Sequence, residues 1–466
     1  MLPFDPSQSV HRLVKQAIDS GAADSLEAAE ERFRSFRLDI AIGLNEAGDS
    51  LAQGALLTAV ALGRRVFLGG VSVVGSLDTP LVSPLPLGQT LREAVIALGG
   101  RPQAEASGAP MISIGGPALA KRSGFSVRAV WSGWRGGIVP GHSDQAPATG
   151  PSMPLAAMLS AALAINEAFL FVNGETPAAG RRIVGLSLWR PGSSDFWLSA
   201  DRTEPPVRYL PSRLWLIGLG HLGQAYLWGL GLLPFADPKA LSLVLQDVDV
   251  ITLSSESTSI LSDASLVGQM KTRAMAAWAE ERGFSTRLNE RLFDAGFKRQ
   301  ADEPAIALCG LDNAMGRQAL DQVGFDFVVE AGLGRGHRNF RTMRLHVLPG
   351  SRPSAEIWKS GGEDEPVEEQ AAYRKLLEGG QLDRCGITLL AGKAVGAPFV
   401  GTVAATLALS EVLRLLHGGP VHKLIDLDLQ SLDQRSALPH ETDFSALNPG
   451  YVLVYSAELV AHVEVV

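Results

Sequence analysis

The sequence predicts an α/β protein built from two related halves, and three observations carry that reading. Leu214–Tyr226, LWLIGLGHLGQAY, passes from a short apolar run through Gly218, Gly220 and Gly223 in G-x-G-x-x-G spacing into an apolar helix. The same order occurs earlier. Leu38–Ile42 reads as a strand, Gly43–Gly48 as a turn, the Ala/Leu-rich stretch to Leu62 as a helix and Arg65–Leu68 as a second strand. Finally, Pro154–Gly174 and Pro398–Gly418 align from proline to glycine without a gap, with Glu167 and Glu411 at the same place and a strand expected after each, at Arg182–Trp189 and Lys423–Gln430.

Composition narrows the function. With 466 residues, 46% hydrophobic and 19% charged, the chain can bury real cores. A net charge of −8 and the lack of a Lys/Arg run argue against nucleic acid as the main partner. Cys309 and Cys385 are the two cysteines, too few for a disulfide framework or a four-cysteine zinc site. No signal-peptide core opens the chain, so a cytoplasmic location is expected. Leu155–Val172 is apolar enough to raise the question of a membrane span. Asn166 and Glu167 inside it would be costly in lipid, so a buried helix and no membrane partner are expected. The polar, proline-bearing stretch Ser193–Pro211 joins the halves, giving expected domains of 1–205 and 206–466.

The halves differ in chemistry. In the first turn Asn45 replaces the middle glycine, where a side chain intrudes on bound phosphate, and the expected second strand ends at Gly69-Gly70 without a carboxylate. The charged helix from about Ser25 to Ser35 precedes this half. In the second half, a strand at Leu241–Leu245 leads to Asp247, about where a Rossmann-type fold holds a ribose. At this point an NAD-dependent oxidoreductase serves as well as an ATP enzyme. The next segment separates them: Asp249, a polar loop, then Val-Gly-x-x-Lys ending at Lys271 and opening an Ala-rich helix. Asp312-Asn313 and Arg317 follow in ALCGLDNAMGR.

Taken in order, the glycine turn, Asp247/Asp249, Gly268–Lys271 and Asp312-Asn313…Arg317 resemble the ThiF/ubiquitin-activating superfamily, over roughly Arg213–Gly334 and again over Leu382–Gly418. The resemblance implies two tandem Rossmann-like (ThiF-type) adenylation folds forming a pseudo-dimer, the first degenerate. It implies ATP and Mg²⁺ as cofactors and the C-terminal glycine of a ubiquitin-like protein as the group adenylated. Physical roles follow from that reaction: turn N–H groups and Lys271 meet phosphate, Asp247 meets ribose, and Asp312 suits Mg²⁺. Asn313 and Arg317 come with the motif. Taken singly, Lys271 could be a solvated helix residue and Asp249 a turn cap.

Cys385 lies in LDRCGITLLAGKAVGAPFVG, on an expected crossover loop of about 335–397 whose acidic part is Gly361–Gln370. A lone cysteine is most often a small core residue, as Cys309 in its apolar strand is expected to be. The resemblance to ubiquitin-activating enzymes implies instead that Cys385 is a nucleophile forming a thioester and handing it to a conjugating enzyme. The chain departs from the family where Ser255 replaces an Asn, where Thr258 replaces a phosphate-contacting Arg, and in lacking paired Cys-x-x-Cys motifs, so zinc is not expected. Activating enzymes often borrow an arginine across the dimer; Arg12 is the candidate here, with Arg32, Arg34 and Arg37 as rivals. Length and the crossover cysteine resemble bacterial members such as those of Bil-type operons. A sulfur-carrier adenylyltransferase without a thioester step, and a pseudo-enzyme scaffold, stay open as alternatives.

Overall fold

The computed structural model describes residues 9–121, 123–193, 196–359, 370–379 and 384–454, with residues 384–386 in backbone only. Two large sheets organise the chain. The first contains β1 (Arg37–Ile42), β2 (Gly70–Gly75), β3 (Arg101–Gln103), β4 (Met111–Ile114), β5 (Ser126–Ser132), β6 (Arg135–Pro140) and β7 (Val184–Ser187), in spatial order β3-β2-β1-β4-β5-β6-β7. After the short β8 (Tyr209–Pro211), the second contains β9 (Arg213–Ile217), β10 (Ser242–Gln246), β11 (Ser285–Asn289), β12 (Ile306–Cys309), β13 (Phe327–Leu333), β14 (Thr342–Leu348), β15 (His422–Asp428) and β16 (Ser436–Pro439). Its order is β11-β10-β9-β12-β13-β14-β15-β16. A last strand, β17 (Tyr451–Leu453), pairs with β8.

The seven strands of the first order match the first seven of the second, and β16 is extra. In each sheet five strands run parallel and the next two return antiparallel. The parallel part has the 3-2-1-4-5 order of a doubly wound nucleotide-binding fold, whose sites lie beyond the carboxyl ends of the strands. Two tandem Rossmann-like folds are therefore present. Pro154–Val172 lies between β6 and β7, and Pro398–Leu416 between β14 and β15, so the helices paired by sequence occupy equivalent places.

Ala/Leu-rich composition of four helices follows from where they pack. Ser50–Val66, Pro154–Val172, His221–Leu232 and Pro398–Leu416 form the layer shared by the halves, and Pro154–Leu170 is buried without interruption. Both nineteen-residue helices are long and apolar enough to cross a membrane, but 89% of each apolar window is buried inside the protein. Trp228 Nε1 donates to Thr58 Oγ1 across the seam (2.9 Å), and a Cβ at Gly229 would stand 2.5 Å from Leu409.

The helix glutamates lock the pseudo-symmetry. Glu167 accepts from Arg182 Nε and Nη2 (both 3.0 Å), and Arg182 Nη1 reaches Gln430 O of the other half. Reciprocally, Glu411 accepts from Arg414 and from His422, and Arg414 reaches Leu188 O of the first half. Asn166 Nδ2 donates to Leu429 O (3.1 Å). The polar residues that argued against a membrane span thus bond in the seam, although Asn166 Oδ1 has no partner among the described residues.

Two expectations need correction. Arg65 and Val66 belong to the end of the Ser50–Val66 helix, not to a strand at Arg65–Leu68. Phe67 N still donates to Gly63 O, and the strand begins only at Gly70, whose φ of +119° favours glycine. Consequently Gly70 opens β2, and Gly69-Gly70 does not end a strand. The stretch expected as a crossover loop contains β14 and the helices Ser354–Ile357, Ala371–Glu378 and Arg384–Ala391. Arg135 packs inside the first half, its Nε pairing with Glu204 at 3.1 Å and both residues buried.

Candidate active site

The site is built around the turn after β9. Gly218 has φ +84°, and a Cβ there would sit 3.1 Å from the Gly310 carbonyl, so the ends of β9 and β12 meet glycine to glycine. Gly223 faces the Gly218 oxygen, which a Cβ would approach to 2.1 Å. Gly220 differs: a Cβ there meets nothing within 4 Å. The first and third glycines are demanded by packing. The middle one faces open space at the start of the His221–Leu232 helix, the place a phosphate would occupy.

Asp247 holds the turn from the next strand. Its Oδ2 accepts from Leu219 N (2.7 Å) and its Oδ1 from Asp249 N (2.8 Å). Lys271 arrives by a local pairing. Gly268, at φ +88°, reverses the chain, so that Gly268 N bonds Ile251 O and Lys271 N bonds Asp249 O. Lys271 Nζ then lies 2.8 Å from Asp249 Oδ2 and 3.7 Å from Asp247 Oδ2. This pairing explains the Val-Gly-x-x-Lys spelling.

Asp312 lies two residues beyond Gly310 and is exposed; among the described residues its carboxylate has no hydrogen-bond partner, while its backbone oxygen accepts from Arg335 Nη2 (3.1 Å). A free carboxylate at a strand end fits a hard cation such as Mg²⁺, which takes one or two carboxylates and fills its shell with phosphate and water. Asn313 caps the Ala314–Gln318 helix, its Oδ1 accepting from Gly316 N (2.7 Å). Arg317 turns inward: its Nε bonds Leu311 O (2.8 Å) and lies 2.9 Å from the buried Glu330, which His346 meets from its other side at 3.1 Å. Both hold the Asp312 segment in place.

Arg12, from the N-terminal segment, docks on the polar loop of the second half. Its N donates to Ser257 Oγ (3.1 Å) and its Nη2 to Ser254 Oγ (3.4 Å). Burial lowers its pKa, and nearby Asp312 counters that shift. Thr258 and Ser255 flank this contact; Thr258 is buried, and its methyl would lie 3.0 Å from a Cβ on Gly396. The rivals are placed elsewhere. Arg32 bonds Asn173, Arg34 pairs with Glu30 on the surface, and Arg37 is exposed at the start of β1.

Cys385 falls in the Arg384–Ala391 helix by its backbone, and its side chain lies outside the described residues, as does most of Gly361–Gln370. Lys15 Nζ donates to Ala391 O at the end of that helix (3.2 Å) and pairs with Asp19 at 2.5 Å. Asp19 also accepts from Tyr373 Oη (2.5 Å), so one short N-terminal helix, Val14–Asp19, ties the cysteine-bearing segment to the fold. Cys309 is buried in β12, and burial pushes its thiol up to about 12, which leaves it unreactive.

Two groups escaped the sequence reading. Gln224 sits buried in the glycine helix; its Nε2 donates to Leu219 O (3.2 Å) and Ser262 Oγ (2.9 Å). A lone amide in an apolar helix was the available signal. Arg64 and Arg65, the second hidden by its assignment to a strand, contact the same polar loop.

Strand register maps the site onto the first half. Ile42 pairs with Gly75 and Ile114 as Ile217 pairs with Gln246 and Cys309. Asp247 therefore corresponds to Ser76 and Asp312 to Pro117; Glu330 corresponds to Ala129. The turn itself is filled by Glu46, whose carboxylate would lie 2.3 Å from a Cβ at Gly43 and packs against Gly115 and Gly116. Asp247, Asp312 and Glu330 thus have no charged counterpart in the first half, whereas Asp249 corresponds to Asp78.

Comparison with known proteins agrees with this division. The BilD N-terminal domain family matches residues 37–188 and the BilD C-terminal domain family residues 210–419. A bacterial E1-like protein BilD of Collimonas sp. (strain OK412) is 46% identical over 420 residues, 90% of each chain. Among solved structures, E. coli MccB with ATP is 13% identical at a TM-score of 0.34, over 50% of this chain and 65% of that one. MccB with MccA-N7isoASN is 14% identical at 0.34, over 49% and 64%. The chain belongs to the BilD family of bacterial E1-like proteins.

Proposed function

We propose that the second half adenylates the C-terminal glycine of a ubiquitin-like protein with Mg·ATP, and that Cys385 then takes the acyl group as a thioester for a conjugating enzyme. The observation that carries the reading is the open space at Gly220, flanked by Asp247 and Lys271 and faced by Arg12 from the other half beside Asp312. A carboxylate oxygen of the glycine attacks the α-phosphorus, and the bond from that phosphorus to pyrophosphate breaks. Negative charge grows on the phosphate oxygens, where turn N–H groups, Lys271 and Arg12 can meet it. Bound Mg²⁺ would neutralise phosphate charge, with Asp312 holding it.

Asp247 would accept from the ribose hydroxyls, and the exposed Val248 and Val250 beside it offer apolar surface to the base. Ser255 and Thr258 leave the polar loop without a cation, and Arg12 supplies one from the first half. In the second step the Cys385 thiolate attacks the acyl carbon, AMP leaves, and the thiol proton passes to solvent. The experiment is to mix the chain with ATP, Mg²⁺ and a candidate ubiquitin-like protein. The reading expects an adduct that thiol reagents release and that Cys385→Ala abolishes. Pyrophosphate exchange without an adduct would leave adenylation alone and refute the thioester step; absence of both would refute the whole reading.

A further inference from the structure

Arg65 stands near the end of a first-half helix, yet three of its four hydrogen bonds go to the second half. Its Nε donates to Glu256 O (2.8 Å), and its Nη2 to Ile260 O (2.9 Å) and Ser262 O (2.7 Å); Nη1 returns to Ala61 O (2.6 Å). The side chain is 4% exposed. Its neighbour Arg64 pairs with Glu256 at 2.6 Å. The loop so held, Thr252–Ser262, contains only one short helix, Leu253–Glu256, and makes few backbone bonds beyond itself.

Two side chains, Arg12 and Gln224, link that loop to the candidate nucleotide site. Arg12 rests on its Ser254 and Ser257. At its far end Gln224 bonds Leu261 N (3.0 Å) and Ser262 Oγ while holding Leu219 O of the glycine turn. A continuous path runs from Arg65 through Ser262 and Gln224 to the turn. The planar guanidinium, with five fixed donors, can serve three carbonyls at once, which a lysine ammonium on a flexible stem cannot match.

We propose that Arg65 is a positioning residue through which the first half sets the shape of the second half's nucleotide site. The proposal rests on the adenylation reading above. It gives the half without chemistry a second task besides lending Arg12: it holds the loop on which Arg12 lies. Burial lowers the Arg65 guanidinium to about 9, so the cation persists at neutral pH.

The test compares the full chain with Arg65→Met, which keeps the length of the side chain and removes its donors. Amide hydrogen exchange over residues 252–262 should speed up by about tenfold or more while β12–β14 keep their protection, and the Kd for Mg·ATP from calorimetry should rise about tenfold. A merely structural arginine would lower the melting temperature and the competent fraction and leave Kd unmoved; that result, or unchanged exchange in the loop, overturns the proposal. If Arg65→Met does not fold, Arg65→Lys is read by the same two criteria. Failure of the unsubstituted chain to bind Mg·ATP would refute the adenylation reading, and the hydrogen-exchange comparison would still decide whether Arg65 holds the loop.

Discussion

The three glycines of the turn are separable by residue-level tests. At Gly223 an added methyl meets a backbone oxygen that cannot retreat, so Gly223→Ala should destabilise the fold by about 3 kcal/mol in denaturant titration. Gly220 has open space, so Gly220→Val should melt like the parent and lose ATP binding in calorimetry. Equal melting losses for both would contradict the placement of phosphate at Gly220. Arg12→Ala should raise the Kd for ATP by about tenfold, the loss of one charged contact, whereas Arg32→Ala, bonded to Asn173 far from the turn, should leave it unchanged. The acids and lysine were legible in the sequence because local pairing brings them together: Gly268 folds Lys271 back onto Asp249 within one connection. The docking of Arg12 on Ser254 and Ser257 was only guessable, since 242 residues separate it from Ser254 and no spacing encodes that contact.

At the scale of elements, the glycine helix and the helix after the cysteine segment meet through His221. Its Nε2 lies 3.4 Å from Pro398 O, and Gly401 must be glycine because a Cβ would stand 2.3 Å from the ring. Burial lowers His221 to about 4, and His11, which caps the N-terminal helix through Leu13 N and Val14 N, is lowered to about 4 as well. In both, the folded pKa lies below the ordinary 6.5, so folding favours the neutral ring. The stability this represents is present above pH 6.5 and is lost as pH falls through 4. Denaturant midpoints should therefore fall between pH 6.5 and 4, and His221→Gln should make that fall shallower. A slope unaffected by the substitution would contradict the burial. Element reading from sequence failed where a helix outran its apolar pattern: Arg65 looked like strand entry because three of its partners are loop carbonyls of the other half.

The whole molecule is a pseudo-symmetric pair sharing one hydrophobic core, which runs without interruption from Leu13 through Leu56 and Leu159 to Leu407. The duplicated topology was legible from the gap-free match of Pro154–Gly174 with Pro398–Gly418, because equivalent helices share an opening proline, a closing glycine at positive φ and a buried glutamate. The reciprocal reach of Arg182 and Arg414 into the opposite half was not legible, being a product of the two-fold arrangement itself. A shared core predicts one cooperative unfolding transition, visible as coincident melts by far-ultraviolet and tryptophan signals; two separated transitions would show that the halves fold independently.

The central claim is that the second half alone carries adenylation chemistry, with the first half lending Arg12. Its most direct measurement is ATP–pyrophosphate exchange, with and without a ubiquitin-like protein ending in glycine, for the parent chain, Asp312→Ala and a Ser76→Ala control at the first-half place equivalent to Asp247. The account predicts exchange that requires the ubiquitin-like protein, a fall of about a hundredfold or more in Asp312→Ala, and no change in Ser76→Ala. Exchange that survives in Asp312→Ala, or is lost in Ser76→Ala, would contradict it.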